Sequence, residues 1–418
     1  MHFFKYKNSE LYAEDVPVRK IAEKVGTPLY IYSEKTLLRH LQSYQQAFDG
    51  YPSTICFALK ANSNLAVLRL LAKNGCGADV VSGGELYLAK KAGIPSGKIV
   101  YAGVGKTDEE IAAALKARIL MFNVESSDEL KAIDTVAGKL KVKAPIALRV
   151  NPDIDPKTHP YISTGLKKSK FGIPIENALE YYQLARKLNN VEVLGIHKHI
   201  GSQITTIKPF IDALKRVILL AHNLREQGIE IRHLDIGGGL GISYKDEEPP
   251  LPEDLSRAVL PLLEEGGFNL ILEPGRSIAG NAGILVTKVL YLKKNPEKEF
   301  VVVDAGMNDL LRPSLYEAFH DVRPVIKNSR KQVLSDIVGP ICESGDFVAK
   351  ERMINRASQG DLLAVMSAGA YAFTMSSNYN SRPRVAEVLV HGSEFYVVKD
   401  RESYKDLVRG MKVPKHLK

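Results

Sequence analysis

Short apolar runs, many of them β-branched, recur along the first two thirds of the chain. They occupy residues 55–59, 78–81, 98–102, 119–123, 146–150, 194–200, 232–236 and 270–273. Between them lie stretches with helical spacing at 64–73, 84–91, 107–116, 127–136, 175–188 and 208–227. Strands that alternate with helices predict parallel βαβ units. The runs are nearly all apolar, as expected of strands buried on both faces. Eight such units over about 240 residues predict a (β/α)8 TIM-type barrel spanning residues 34–275. An open, doubly wound sheet is the structural alternative.

After Arg276 the pattern changes. Strand-like segments at 283–292, 299–304, 332–338, 361–366, 384–391 and 394–398 are separated by Gly, Pro, Asn and Asp turns. This predicts a C-terminal antiparallel β domain. A further strand at 29–32 is expected to fold back onto it, so the second domain comprises residues 1–33 and 276–418. The polar stretch 151–170 has no period, and a loop of that length is expected to be a lid or binding element.

Composition narrows the classes. The chain has 418 residues, 45% hydrophobic and 25% charged, which is ordinary for a globular protein. No apolar run reaches the ~18 residues that span a bilayer, and the first residues lack the apolar core of a secretory signal. The three cysteines, Cys56, Cys76 and Cys342, form no closely spaced framework. A reducing, cytoplasmic location without membrane association is therefore expected. The net charge is +9, but the lysines are dispersed among glutamates and no recognition motif accompanies them, so nucleic acid is not an expected partner.

Candidate chemistry gathers where strands end. His233-Leu234-Asp235-Ile236-Gly237-Gly238-Gly239 and Leu272-Glu273-Pro274-Gly275-Arg276 each run from a strand into a glycine turn. Bare N–H groups in such turns can wrap an anion. The last two strands of a barrel are where phosphate commonly binds. Lys60 closes the first strand, and a lysine there can capture an aldehyde; on position alone, a lysine snorkelling from a strand end is the commoner case. His199 ends the sixth strand beside His197, and Ser202 follows. Paired histidines suggest metal, yet no further ligand set is evident in the spacing; a flat imidazole can instead stack on a ring. Glu273 can hold a proton on a pyridine nitrogen, or simply bind Arg276 or nearby backbone. Together an amine, a stacking ring, a phosphate cradle and a carboxylate describe a pyridoxal 5'-phosphate site.

At these residues the sequence resembles the barrel-type (fold type III) pyridoxal-phosphate-dependent decarboxylases. The likeness rests on Phe57–Asn62, His199–Gln203, Asp235–Gly239 and Glu273–Arg276. It continues in Gly339–Asp346 and Gly369–Tyr371 and runs from about residue 10 to residue 410. Leu311–Tyr316 and Asn378–Pro383 are similar to the branch that acts on diaminopimelate. The resemblance implies decarboxylation of meso-2,6-diaminopimelate to L-lysine and CO₂, the last step of lysine biosynthesis, by a homodimer whose active sites are shared between subunits. It implies that Lys60 carries the cofactor and that His199 stacks on its ring. Ser202, Gly237, Gly238, Gly239, Gly275 and Arg276 bind the phosphate, and Glu273 meets the pyridine nitrogen. It further implies that Arg276, Arg312, Tyr316 and Glu343 address the substrate, that Tyr371 touches cofactor and substrate, and that Cys342 returns the proton from the partner subunit. The neutral alternative for Cys342 is a small buried residue. Lys198, between the two histidines, departs from the expected pattern, and its side chain should point away from theirs.

Three other readings compete. An ornithine or arginine decarboxylase would share the cofactor motifs but would not need Arg312 and Tyr316. An amino-acid racemase of this barrel class would place an arginine where Glu273 stands. A non-enzymatic relative would be expected to lose Lys60 or Cys342.

Overall fold

The computed structural model describes residues 2–156, 158–159, 164–165, 169–264, 266–296 and 298–417. Of the polar stretch 151–170, residues 157, 160–163 and 166–168 lie outside the described residues. Two compact units divide the chain: residues 37–280, and residues 1–36 with 281–418.

The first unit is a closed parallel barrel. Its strands are β1 (Ser53–Ala58), β2 (Gly77–Val80), β3 (Ile99–Tyr101), β4 (Met121–Val124), β5 (Ala144–Asn151), β6 (Val191–His197), β7 (His233–Asp235) and β8 (Asn269–Leu272). Each pairs in parallel with the next, and β8 returns to β1 through Leu272 opposite Ile55. Closure leaves no sheet edge, which excludes the open doubly wound alternative. Cys56, Val100, Met121, Ala147, Leu194 and Ile271 come from six different strands and form one cluster, so they fill the barrel interior.

Helices follow the strands as the 3.6-residue period predicts. Their starts carry side-chain caps: Asn64 for Leu65–Lys73, Ser82 for Gly83–Lys91, and Ser126 for Ser127–Leu140. Thr107 and Glu110 form a reciprocal capping box at Asp108–Ala117. The structure adds a helix at Pro252–Leu263, whose internal Pro261 breaks the sequence signal.

The second unit is built on a mixed sheet. Its main path runs Phe347–Asn355, Gln332–Val338, Glu299–Val303, Gly283–Lys294, Leu29–Ser33, Ala386–His391 and Glu394–Lys399. Most neighbours are antiparallel. Two pairings are parallel, Glu299–Val303 with Gln332–Val338 and Leu29–Ser33 with Ala386–His391. The N-terminal strand thus lies inside this sheet, between Gly283–Lys294 and Ala386–His391. Its Leu29 and Ile31 join Ile284, Val286, Val388 and Val390 in the core.

Candidate active site

The carboxyl ends of the barrel strands gather the polar residues. Lys60 sits in a single helical turn, Leu59–Ala61, directly after β1. Its Nζ donates to Asp79 Oδ2 at 2.5 Å. Asp79 is fully buried on β2, whereas the lysine is 38% exposed. The amine is therefore held by a carboxylate. Burial pushes the Asp79 carboxyl up, the Glu273 charge pushes it further, and Lys60 pulls it back.

Glu273 follows β8 and is buried. His197 Nε2, at the end of β6, lies 3.3 Å from Glu273 Oε2, and Asn123 Nδ2 donates to Glu273 Oε1 at 3.2 Å. Asn123 also donates to Asp235 Oδ2. Burial raises the Glu273 carboxyl, but His197 and Lys60 more than offset this, and it ends well below the usual carboxylate range. Asp235 goes the other way, raised by burial and then by the neighbouring Glu273 charge. The two neighbouring carboxyls are thus pushed in opposite directions, Glu273 down and Asp235 up. Ligand-type atoms of His197, Asp235 and Glu273 lie within 4.8 Å of one another, a convergence that linear spacing hides.

The glycine turn after β7 is backbone-tight. Gly237 and Gly239 have φ of +66° and +118°. A Cβ on Gly238 would stand 2.2 Å from the Glu273 carbonyl oxygen, and one on Gly237 would meet His199 Nδ1 at 2.8 Å. The Gly238 N–H donates to that same Nδ1 at 3.3 Å. Burial, then the Arg149 charge, hold the His199 imidazole well below its ordinary value. The ring is therefore neutral, with its proton on Nε2. Beside the turn, the Arg276 guanidinium donates through Nε and Nη2 to Ser202 Oγ, at 3.2 and 3.1 Å, and through Nη1 to the Tyr244 hydroxyl at 2.6 Å. Gly275 precedes it as the cap of the short turn Arg276–Ala279.

Lys198 follows β6 directly after its last residue, His197. Its side chain is wholly buried, its Nζ lies 5.4 Å from the Phe210 ring centroid, and among the described residues no hydrogen bond reaches the amine. Burial lowers its pKa to about 8.

The second unit assembles its own cluster. Arg312 opens the helix Arg312–Tyr316 and is buried. Ser314 Oγ in that helix donates to the Gly345 carbonyl, joining it to the turn that carries Cys342 and Glu343. Asp346 braces this turn by accepting from the Ile341 and Met307 N–H groups. The Cys342 N–H donates to Asn380 Oδ1, and the Tyr379 hydroxyl donates to Glu343 Oε2 at 3.4 Å. Cys342 is exposed, so the alternative of a buried filler does not hold. Tyr371 takes a left-handed backbone, φ +54°.

The barrel mouth fits pyridoxal phosphate. It offers one amine, one buried anion for a ring nitrogen, a neutral imidazole and a glycine turn closed to any Cβ. Buried polar atoms there, Asp79 Oδ1, Asn123 Oδ1 and His197 Nδ1, have no hydrogen-bond partner among the described residues. Asp79, Asn123 and Tyr244 were not singled out from the sequence. The first two carry the signal that marked Lys60, a polar residue near the end of an apolar strand.

Residues 34–280 match the family described as "Pyridoxal-dependent decarboxylase, pyridoxal binding domain". The chain is 53% identical to the diaminopimelate decarboxylase of Aquifex aeolicus over 407 residues, covering 97% of this chain and 96% of that protein. Among solved structures, the diaminopimelate decarboxylase of M. jannaschi superposes with a TM-score of 0.95 at 42% identity, covering 99% of each chain. That of Helicobacter pylori, complexed with L-lysine, gives 0.91 at 46%, covering 94% of this chain and 98% of the other. The chain belongs to the pyridoxal-dependent decarboxylases, in the branch of the diaminopimelate decarboxylases.

Proposed function

We propose that the protein decarboxylates meso-2,6-diaminopimelate to L-lysine and CO₂ at the barrel mouth, with pyridoxal phosphate held by Lys60. The observation that carries this is the ionised Glu273, buried and hydrogen-bonded to His197 at the end of β8. When bound, the cofactor supplies an electron sink for the electron pair left by departing CO₂. A protonated pyridine nitrogen deepens that sink, and the Glu273 anion keeps the proton there. His199, neutral and hydrogen-bonded to the turn, offers a flat face for the ring. The turn Gly237, Gly238 and Gly239 and the turn Gly275-Arg276, with Ser202, take the phosphate. A racemase reading is disfavoured because Glu273, not an arginine, occupies the nitrogen position.

Substrate choice follows from charge. The distal end of diaminopimelate carries a carboxylate and an ammonium. Arg276 and Arg312 match the carboxylate, because guanidinium binds it with paired donors. Tyr316 adds a hydroxyl, Glu343 suits the ammonium, and Tyr371 borders cofactor and substrate. We assign proton return at the reacting carbon to the exposed thiol of Cys342, reaching the Lys60 site of a second copy in a homodimer. Among the described residues no helix is long and apolar enough to cross a membrane; we assign the enzyme to the cytoplasm. Borohydride reduction with pyridoxal phosphate, then peptide mapping, tests the cofactor assignment. Label on Lys60 is expected, and label confined to another lysine would overturn it.

A further inference from the structure

A neutral ring holds Arg312 from one side. Its Nη1 lies 2.8 Å from His320 Nε2, and His320 Nδ1 lies 2.8 Å from the Met366 carbonyl oxygen. A guanidinium only donates and a carbonyl only accepts. The imidazole is therefore the Nδ1–H tautomer, uncharged, with both nitrogens engaged. Arg312 is 6% exposed and His320 is fully buried. The chain brings them together by reversing at Glu317, which caps the helix in the left-handed region at φ +51°. The Met366 N–H in turn donates to the Asp321 carbonyl, so the far end of the ring is anchored to backbone.

The choice of residue is informative. A carboxylate at position 320 would hold the guanidinium more strongly but would neutralise it and occupy the paired donors that a substrate carboxylate needs. An apolar residue would fill the same space without accepting from Arg312. A neutral acceptor fixes one N–H and leaves the positive charge intact. We infer that His320 is a positioning residue for substrate: its Nε2 sets the direction from which Arg312 takes the distal carboxylate. This deepens the substrate reading above and rests on it.

Two substitutions separate the ring's nitrogens. In His320→Gln the amide oxygen can reach the Nε2 position and still accept from Arg312. In His320→Asn the amide can reach only the Nδ1 position, so Met366 keeps its donor and Arg312 loses the acceptor at the Nε2 position. With the holoenzyme and diaminopimelate, His320→Asn should raise KM by about tenfold, the scale of one hydrogen bond to a charged group, with kcat within about twofold. His320→Gln should restore KM to within about threefold. In an Arg312→Ala background, neither change should move KM further, since no guanidinium remains to be aimed. Equal KM effects of the two variants, or a KM effect that persists in the Arg312→Ala background, would overturn the inference while leaving Arg312 as substrate ligand. An Arg312→Ala enzyme with unchanged KM would overturn the substrate reading and this inference with it. Should His320→Asn fail to accumulate, His320→Gln and His320→Gln/Arg312→Ala carry the test. KM within about threefold of the parent enzyme in each is expected, and a larger rise in both would overturn the inference.

Discussion

Glu273 Oε2 lies 3.3 Å from His197 Nε2, and both groups are buried from solvent. An isolated carboxylate in that position would protonate, since burial penalises charge. Here the ring of His197, the Lys60 amine and the amide of Asn123 keep it an anion. Asp235 beside it is pushed the other way, its carboxyl raised by burial and by the Glu273 charge.

Glu273→Gln removes that anion and leaves the glycine turn untouched. Cofactor affinity should change little, because phosphate contacts dominate it. The value of kcat should fall by about 10²–10⁴-fold, the scale of one lost acid–base partner. Steady-state kinetics beside a cofactor titration checks this. A near-normal kcat would show that Glu273 serves only to hold the barrel end.

Gly238→Ala tests the cradle. The added Cβ would lie 2.2 Å from the Glu273 carbonyl oxygen, which is main chain and cannot rotate aside. The turn must shift. Stability should fall by about 1–3 kcal/mol, as in other overpacked sites, and pyridoxal phosphate should bind at least about tenfold more weakly. Thermal unfolding and a fluorescence titration measure the two effects. Unchanged cofactor affinity would place the phosphate elsewhere.

Lys198 gives the pH dependence. Its folded pKa is depressed to about 8, below the ordinary lysine value of 10.5. Between these values the unfolded chain holds the proton more tightly, so stability rises with pH through that window and is lower below it. The difference corresponds to about 3 kcal/mol at neutral pH. Lys198→Met should therefore raise unfolding free energy at pH 7 by about 1–3 kcal/mol and flatten its rise from pH 8 to 10. Denaturant melts across pH measure this. An equally steep rise in the variant would mean that Lys198 is solvated and charged in the native state.

The eight barrel strands are legible because each is buried on both faces and so reads as a continuous apolar run. Lys60 and Glu273 stand out because each interrupts such a run at its end. Asp79 is harder to see, since Val80 and Val81 follow and keep the run apolar. The convergence of His197 on Glu273 spans 76 positions and exists only once the barrel closes. Strand Phe347–Asn355 is obscured by Lys350, Glu351 and Arg352. It is an edge strand, with only Val348 and Ala349 buried, so alternation is lost. The contact of His320 with Arg312 depends on the left-handed residue Glu317, which no local propensity announces.

Mixing two inactive proteins tests the shared site. Cys342 lies exposed on a turn held by Asp346 and Asn380. Lys60→Ala and Cys342→Ala homodimers should each be nearly inactive. Random exchange makes half the dimers hybrid, and one of two sites in each hybrid keeps both residues. About one quarter of wild-type activity should return, for sites that act independently. Demonstrated exchange without recovery would mean that both residues serve a site within one copy.

Product analysis with a panel of amino acids tests the central claim most directly. Purified protein with pyridoxal phosphate is given meso-2,6-diaminopimelate, ornithine, arginine and lysine separately, and CO₂ and amine products are measured. Diaminopimelate should yield CO₂ and L-lysine in equal amounts, with the other three at least about a hundredfold slower, since they lack the distal carboxylate proposed to bind Arg276 and Arg312. Faster CO₂ release from ornithine, arginine or lysine, or none from diaminopimelate, would contradict the assignment.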